Sequence, residues 1–212
     1  MHPILIELEQ SFGQSILSQI KTPLLARNNV SLWIKRDDLI HPIISGNKWR
    51  KLKYHLDEVL SLGCDTIISM GGRYSNHLHA LAYLGKILKL KTIGIIRGER
   101  PIPLTATLED MQKWGMELRF ISRSDYRLHR NYHSSQNFPE LTAKHYWIPE
   151  GGANQLALQG VAELVNEIEI PYDSLCVACG TGTTLAGLIT GISGHQTVLG
   201  IAALKNAAFL VN

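Results

Sequence analysis

Thr66-Ile67-Ile68-Ser69-Met70-Gly71-Gly72-Arg73-Tyr74-Ser75-Asn76-His77 is the stretch that decides how this chain folds. The run 66–70 is apolar and rich in β-branched residues. It is too short for a buried helix and too continuous for a strand with one wet face. It therefore reads as a strand buried on both sides. Two glycines end it. From Ser75 to Leu88 the apolar residues Leu78, Leu81, Ala82, Leu84, Ile87 and Leu88 recur at helical spacing.

The alternation continues downstream. Strands are expected at 92–96, 117–121, 145–148, 174–178 and 197–203, and helices at 104–114, 123–135, 156–168 and 183–192. Upstream, Leu32-Trp33-Ile34-Lys35-Arg36-Asp37-Asp38 is an apolar run closing on charges. A polar bend, Ser45-Gly46-Asn47-Lys48, follows it, and then a helical pattern from Trp49 to Leu62. Short strands between amphipathic helices predict an α/β protein whose parallel sheets are covered by helices.

Composition narrows the class. With 45% hydrophobic and 18% charged residues, the 212-residue chain can bury a sizeable core. A net charge of +3 is mild. The dense basic cluster Lys48-Trp49-Arg50-Lys51-Leu52-Lys53 sends its charges to different helix faces, so a solvated helix beside a site is expected rather than a nucleic-acid contact. No apolar run reaches membrane-spanning length and no basic-then-apolar leader opens the chain, so no membrane partner and a cytoplasmic location are expected. Three cysteines make no disulfide framework. Cys176 and Cys179 lie on one expected strand, where i and i+3 point to opposite faces, and are read as two small buried hydrophobes. His129, His133 and His145 lack a metal-binding pattern, so no metal is expected. Trp33, Trp114 and Trp147 are expected in the core, and Trp49 is left open.

In such sheets ligands sit at the carboxyl ends of strands, beside helix N-termini. Three strand-to-helix junctions supply glycine together with a hydroxyl or an amide: 71–77, 150–154 and 179–184. At the third, Gly180 and Gly182 let backbone N–H groups converge, and Thr181, Thr183 and Thr184 add hydroxyls at the positive end of the next helix. That composition can cradle one phosphate; an ordinary glycine-rich turn has the same letters. No Lys-Ser/Thr follows the glycines, so this is no Walker loop, and the third glycine of a dinucleotide fingerprint is out of place at Gly187. The second junction either lines a site or simply turns the chain. At the first, Ser75 is a helix N-cap by default. Lys48, at the mouth of a helix and behind Gly46, is placed to lose its proton and form a Schiff base with a carbonyl compound.

A Schiff-base lysine, a monophosphate cradle and a Ser-Asn at a helix start together point to pyridoxal phosphate. Several stretches, in order along the chain, resemble the 1-aminocyclopropane-1-carboxylate deaminase and D-cysteine desulfhydrase family. They are 32–38, Gly46-Asn47-Lys48-x-Arg50-Lys51-Leu52, Gly71-Gly72-x-x-Ser75-Asn76-His77, Ile148-Pro149-x-Gly151-Gly152 and Gly180-Thr181-Gly182-Thr183-Thr184. The resemblance implies the tryptophan synthase β-like fold of fold type II pyridoxal-phosphate enzymes, with two parallel-sheet domains. Residues 1–52 and 150–212 would form the larger, cofactor-binding domain, and 53–149 a smaller inserted one that closes over the substrate.

It implies roles for residues as well. Lys48 would carry the cofactor and then act as acid/base at the substrate carbon. Asn76 would hydrogen-bond the pyridoxal 3′-oxygen. Ser75, with the Asn76 and His77 backbone, would receive the substrate carboxylate. Gly180, Thr181, Gly182, Thr183 and Thr184 would hold the phosphate, and Asn47 and Arg50 would support Lys48. Lys48 and Ser75 are thus the implied catalytic residues. The implied reaction is β-elimination and deamination of a small amino acid such as D-cysteine, giving pyruvate, ammonia and sulfide, with 1-aminocyclopropane-1-carboxylate ring opening as the alternative. A homodimer is the implied assembly.

Two departures bear on this. Ser45 stands where the family pattern commonly has glycine, which requires a negative φ there. The chain stops at Asn212, where family members continue with catalytic tyrosines and the group that faces the pyridine nitrogen. A large domain that is incomplete, with a last strand short of covering partners, is expected. A truncated relative that binds the cofactor weakly or not at all, and a nucleotide-binding module using 180–184, are the competing readings.

Overall fold

The computed structural model describes residues 1–130 and 142–203. The chain opens with α1 (Pro3–Gln10), β1 (Leu17–Ile20), α2 (Pro23–Arg27) and β2 (Leu32–Lys35). The strands β1 and β2 pair antiparallel, Ser18 opposite Ile34, a small exception to the expected parallel pairing. Then come α3 (Lys48–Ser61), β3 (Thr66–Gly71), α4 (Asn76–Leu88), β4 (Lys91–Arg97), α5 (Ala106–Lys113), β5 (Glu117–Ile121), α6 (Arg123–His129) and β6 (His145–Ile148). The chain continues through α7 (Gln155–Asn166), β7 (Ser174–Cys179), α8 (Thr183–Gly191) and β8 (Thr197–Ala202). Residues 131–135 of the expected helix 123–135, and His133 with them, lie outside the described residues.

Four parallel strands form a sheet in the order β5-β4-β3-β6. Every residue of β3 is buried, as its unbroken apolar run requires. Ile67 packs with Leu78, Leu81, Leu52 and Leu56 on the side of α3 and α4. Ile68 and Met70 face Tyr126 of α6 and Trp147 on the other side. Successive residues point to opposite faces, so one strand feeds both cores. From β3 the chain runs outward to β4 and β5, then returns to add β6 on the opposite edge of β3. That reversal opens a crevice at the carboxyl ends of β3 and β6, where α/β sheets place ligands.

β7 and β8 form a separate parallel pair, Cys176 opposite Leu199. Leu199 and Ile201 of β8 are exposed. Helices α3, α7 and α8 pack through glycine. A Cβ on Gly160 of α7 would overlap the Arg50 carbonyl oxygen of α3, and one on Gly187 of α8 would press on Val161. The close approach of α3 to α8 across α7 brings Lys48 near the 179–184 junction.

Three expectations need correction. The basic helix α3 is not solvated: Arg50, Lys51 and Lys53 are all buried. Its charges do diverge, but each face is covered. Arg50 meets Asp37 and Glu167, Lys53 meets Glu9 and Glu163, and Lys51 turns inward. Cys176 is exposed while Cys179 is buried, because β7 has cover on one side only. Trp33, on the antiparallel pair, is exposed too, whereas Trp147 is buried and Trp114 packs partly buried against the core. Trp49 is also buried, its Nε1 donating to Glu9 at 2.7 Å.

Candidate active site

The three glycine junctions converge on one cavity of about 580 Å³, a size typical of small-molecule sites. The end of β3 contributes Gly72 to His77, the end of β6 Glu150 and Gly151, and the end of β7 Gly180 to Gly182. Asn47, Lys48 and Lys51 enter from the start of α3, and Thr184 from the start of α8. The second junction, open to two readings from sequence, therefore lines the cavity. Gly151 has φ +68° and lies so close to Thr181 that an added Cβ would sit 3.0 Å from its side chain.

Helix caps mark the cavity. α1, α2, α4, α5, α6 and α7 each carry a side-chain N-cap: His2, Thr22, Ser75, Thr105, Ser122 and Asn154. α3 and α8 have none. Both begin at the cavity wall. The N-terminal N–H groups of a helix need an acceptor, and α8 starts from Gly182 at φ +83° with no side chain to supply one. An anion in the cavity would meet the positive ends of two helices.

Lys48 is the first residue of α3. Its Nζ donates to Asn47 Oδ1 at 2.5 Å, and Asn47 Nδ2 donates in turn to Thr184 Oγ1 at 2.6 Å. Asn47 thus ties the lysine to the first turn of α8. Thr184 keeps its own O–H free to donate onward. Ser45 does not have a positive φ, so serine is compatible with the position; the left-handed residue of that turn is Gly46, at φ +63°.

The electrostatics favour an anionic guest. Burial lowers the Lys48 amine below its ordinary value. Lys51 is lowered to about 7, first by burial and then by repulsion from Lys48. Neither forms an ion pair among the described residues. Burial, with Lys48, Lys51 and His55 nearby, holds His77 well below the ordinary histidine range. The neutral His77 ring shares a hydrogen bond between Nε2 and Ser69 Oγ at 2.9 Å, and its Nδ1 is buried without a partner. The one carboxylate on the cavity wall, Glu150, is engaged by the Tyr126 hydroxyl and by Arg130, each at 2.7 Å. An unpaired buried cation such as Lys51, with the half-buried Lys48 beside it, is costly, so this cavity is arranged for negative charge brought by a ligand.

Of the residues expected from sequence, Lys48, Ser75, Asn76, His77, Gly180, Thr181, Gly182 and Thr184 line this cavity together. Ser75 does so while its Oγ accepts the Leu78 N–H at 3.2 Å as the cap of α4. Thr183 lines a neighbouring cleft instead, and its hydroxyl reaches Thr181 Oγ1 at 3.0 Å. Arg50 stays out of the cavity and fixes α3 by its pairs with Asp37 and Glu167. His79 turns away toward Asp110 and Trp114. Sequence reasoning missed Lys51 and Arg97, and gave no role to Arg73 and Glu150 inside the junctions it singled out. Lys51 sits one helical turn from Lys48, and that i, i+3 spacing could have placed it on the same wall.

The model of the pyridoxal-phosphate dependent enzyme family matches residues 16–209. A Pyrococcus horikoshii protein named "Putative 1-aminocyclopropane-1-carboxylate deaminase" is 35% identical over 91% of this chain and 62% of its own length. The mitochondrial bifunctional D-cysteine desulfhydrase/1-aminocyclopropane-1-carboxylate deaminase of Arabidopsis thaliana is 33% identical over 77% of this chain and 45% of its own. The chain thus spans less than two thirds of these relatives. A crystal structure of an ACC deaminase homologue superposes with a TM-score of 0.75 at 31% identity, covering 100% of this chain and 70% of that one. A fungal L-serine ammonia-lyase from Rhizomucor miehei, 16% identical, shares the fold with a TM-score of 0.68 over 94% of this chain and 63% of its own. By its motifs, its parallel-sheet fold and the match over nearly its whole length, the chain belongs to the pyridoxal-phosphate dependent enzyme family.

Proposed function

We propose that this chain forms the cofactor-binding core of an enzyme that removes the amino group and a β-substituent from a small amino acid, in the manner of a D-cysteine desulfhydrase. The observation that carries the reading is the Lys48–Asn47–Thr184 chain of hydrogen bonds, which couples a half-buried amine to an open helix N-terminus in one cavity. The cofactor's two functional ends, an aldehyde and a phosphate monoester, need that pair of partners. The donor set fits pyridoxal phosphate. The uncapped start of α8 with Gly180, Thr181, Gly182 and Thr184 suits the phosphate, with Thr183 holding the Thr181 hydroxyl in place. Lys51 adds a second amine to the same wall. Asn76 is available to the ring oxygen, and Lys48 to the aldehyde. When bound, pyridoxal phosphate supplies an electron sink for negative charge at the substrate α-carbon.

The chain's own groups would do the rest. The start of α4 at Ser75, Asn76 and His77 receives the substrate carboxylate. Lys48, with an amine lowered by burial, spends more time as a free base and takes the proton from the α-carbon. The carbonyl of Asn47 orients that amine. With D-cysteine and one water, the products are pyruvate, ammonia and sulfide.

The names of the relatives support a second reading, in which 1-aminocyclopropane-1-carboxylate and water give 2-oxobutyrate and ammonia. Residues 53–149 would then be the smaller domain closing on a larger one built from 1–52 and 150–212. A homodimer in the cytoplasm completes the proposal. No helix among the described residues is long and apolar enough to cross a membrane.

Reconstitution tests it. Added pyridoxal phosphate should give an absorption band near ~410–420 nm that Lys48→Ala abolishes. A well-folded protein without the band would overturn the reading, and adenosine phosphates would then be titrated against the 180–184 loop. Given the band, sulfide release from D-cysteine and 2-oxobutyrate release from the cyclopropane substrate separate the two reactions.

A further inference from the structure

Two of the three buried charges on α3 are answered by carboxylates. Arg50 meets Asp37 and Glu167, and Lys53 meets Glu9 and Glu163. Lys51, 5% exposed, meets none among the described residues. Its stem lies under the turn that follows β6. A Cβ on Gly152, at φ +75°, would sit 3.6 Å from Lys51 Cβ and 3.5 Å from its carbonyl oxygen. The side chain is thus held against the wall of the 580 Å³ cavity that it lines.

The groups around that amine are positive or neutral. Lys48 stands one turn back on the same helix, the Cys179 thiol faces it from β7, and the buried His77 ring on α4 is neutral. The uncapped starts of α3 and α8 bring the positive ends of two helices to the same cavity. Glu150, the carboxylate on the wall, is already held by Tyr126 and Arg130. Burial, with repulsion from Lys48, brings the Lys51 amine to about 7. An uncharged amine beside a second cation is a ready nucleophile. Among so many positive groups, the adduct most favoured is one that turns the amine into an anion.

We propose that Lys51 is a carbamylation site, which takes up carbon dioxide when the cavity holds no cofactor. The Nζ lone pair forms the N–C bond, one C–O π pair moves onto oxygen, and a proton leaves the nitrogen for solvent. No oxidant, reductant or further reactant is needed. Carbon dioxide is small and uncharged, so entering the cavity carries no charge-desolvation cost. The carbamate replaces an unpaired ammonium by an anion, for which the cavity offers Lys48 and the open N–H groups of two helices. A phosphate monoester calls on the same donors, so carbamate and cofactor exclude each other, and carbon dioxide then regulates cofactor loading. The uptake itself does not depend on the proposed function; its competition with the cofactor does.

The test equilibrates the cofactor-free chain with carbon-13 carbon dioxide, traps carbamates as esters with a trialkyloxonium salt, and locates them by peptide mass spectrometry. The ester should map to Lys51. Lys51→Arg, which keeps the charge, and Lys51→Met should each lose it, together with the carbamate carbon resonance. At fixed carbon dioxide pressure the formation constant should rise about 100-fold per pH unit below about 7, where two protons leave per adduct, and about tenfold above, where one leaves. Inorganic phosphate should suppress the ester. Half-occupancy by carbamate should raise the pyridoxal phosphate needed for a half-maximal visible band about twofold. An ester on Lys48, on neither lysine, or persisting in Lys51→Arg overturns the inference. So does an ester on Lys51 that phosphate leaves untouched, because the carbamate would then lie outside the cavity. An ester on Lys51 in a chain that gives no visible band overturns the proposed function and leaves the carbamate standing.

Discussion

Asn47 Nδ2 donates to Thr184 Oγ1 across 2.6 Å, joining the residue before the lysine to the first turn of α8, 137 positions away. The bond makes the amine and the α8 N-terminus one unit. Thr184→Val keeps the shape and removes the acceptor, leaving a part-buried amide unsatisfied. It should cost about 1–3 kcal/mol in urea unfolding. Cofactor affinity, read by titrating the visible band, should fall as well, because both the phosphate end and the lysine lose a partner. Thr183→Val, which alters only a hydroxyl shared with Thr181, should weaken affinity less.

Lys51 gives a pH signature. Its amine is lowered from 10.5 to about 7, chiefly by burial. The folded state therefore binds fewer protons than the unfolded chain between about 7 and 10.5, and stability rises with pH across that window. The cost of burying the charge is complete below pH about 7 and fades above it. Lys51→Met should raise the cofactor-free melting temperature at pH 6 by more than at pH 10. Phosphate binding should restore the charge, so calorimetry at pH 8 in buffers of different ionisation heat should detect proton uptake that Lys51→Met removes.

Much of this was legible in the letters. β3 and α4 follow from an apolar run, two glycines and a 3.6-residue period, and β5 and β6 fall at the expected residues. The convergence of Ser75 and Gly180 follows from the rule that ligands sit at strand carboxyl ends, and Lys48 joins them from the start of α3. Arg50, Lys51 and Lys53 were not legible as buried. Arg50 and Lys53 are covered by Asp37, Glu163 and Glu167, which only folding brings beside α3, and Lys51 turns into the cavity. Arg73 and Arg97 carried no periodic signal, since both lie at strand ends where side-chain direction is set by the loop.

Arg50 is another of the three charges that α3 buries. Burial alone would lower its pKa, but hydrogen bonds to Glu167 and Asp37 outweigh that and raise it. Asp37→Ala would leave the guanidinium buried with one partner fewer and should cost about 3–5 kcal/mol. The double variant Asp37→Ala/Arg50→Met should recover part of that loss. Arg50 and Lys35 also hold the Glu167 carboxyl below its ordinary value, against a burial effect that raises it. Its contribution is therefore present above the ordinary carboxylate range and lost as pH falls through the lowered value. Arg50→Met should flatten the acid limb of a stability profile measured by urea between pH 3 and 7.

Gly46 and Gly151 separate strain from contact. Both are left-handed, at φ +63° and +68°. An added Cβ on Gly46 meets nothing within 4 Å, whereas on Gly151 it meets Thr181 at 3.0 Å. Alanine in the left-handed region costs about 1–2 kcal/mol by itself, so Gly46→Ala should lose about that much in urea unfolding. Gly151→Ala should lose more, because Thr181 must move, and Thr181 belongs to the loop proposed to hold the phosphate. Its cofactor affinity should therefore drop further than that of Gly46→Ala. Equal affinities in the two variants would mean that the 150–152 turn does not support the loop it touches.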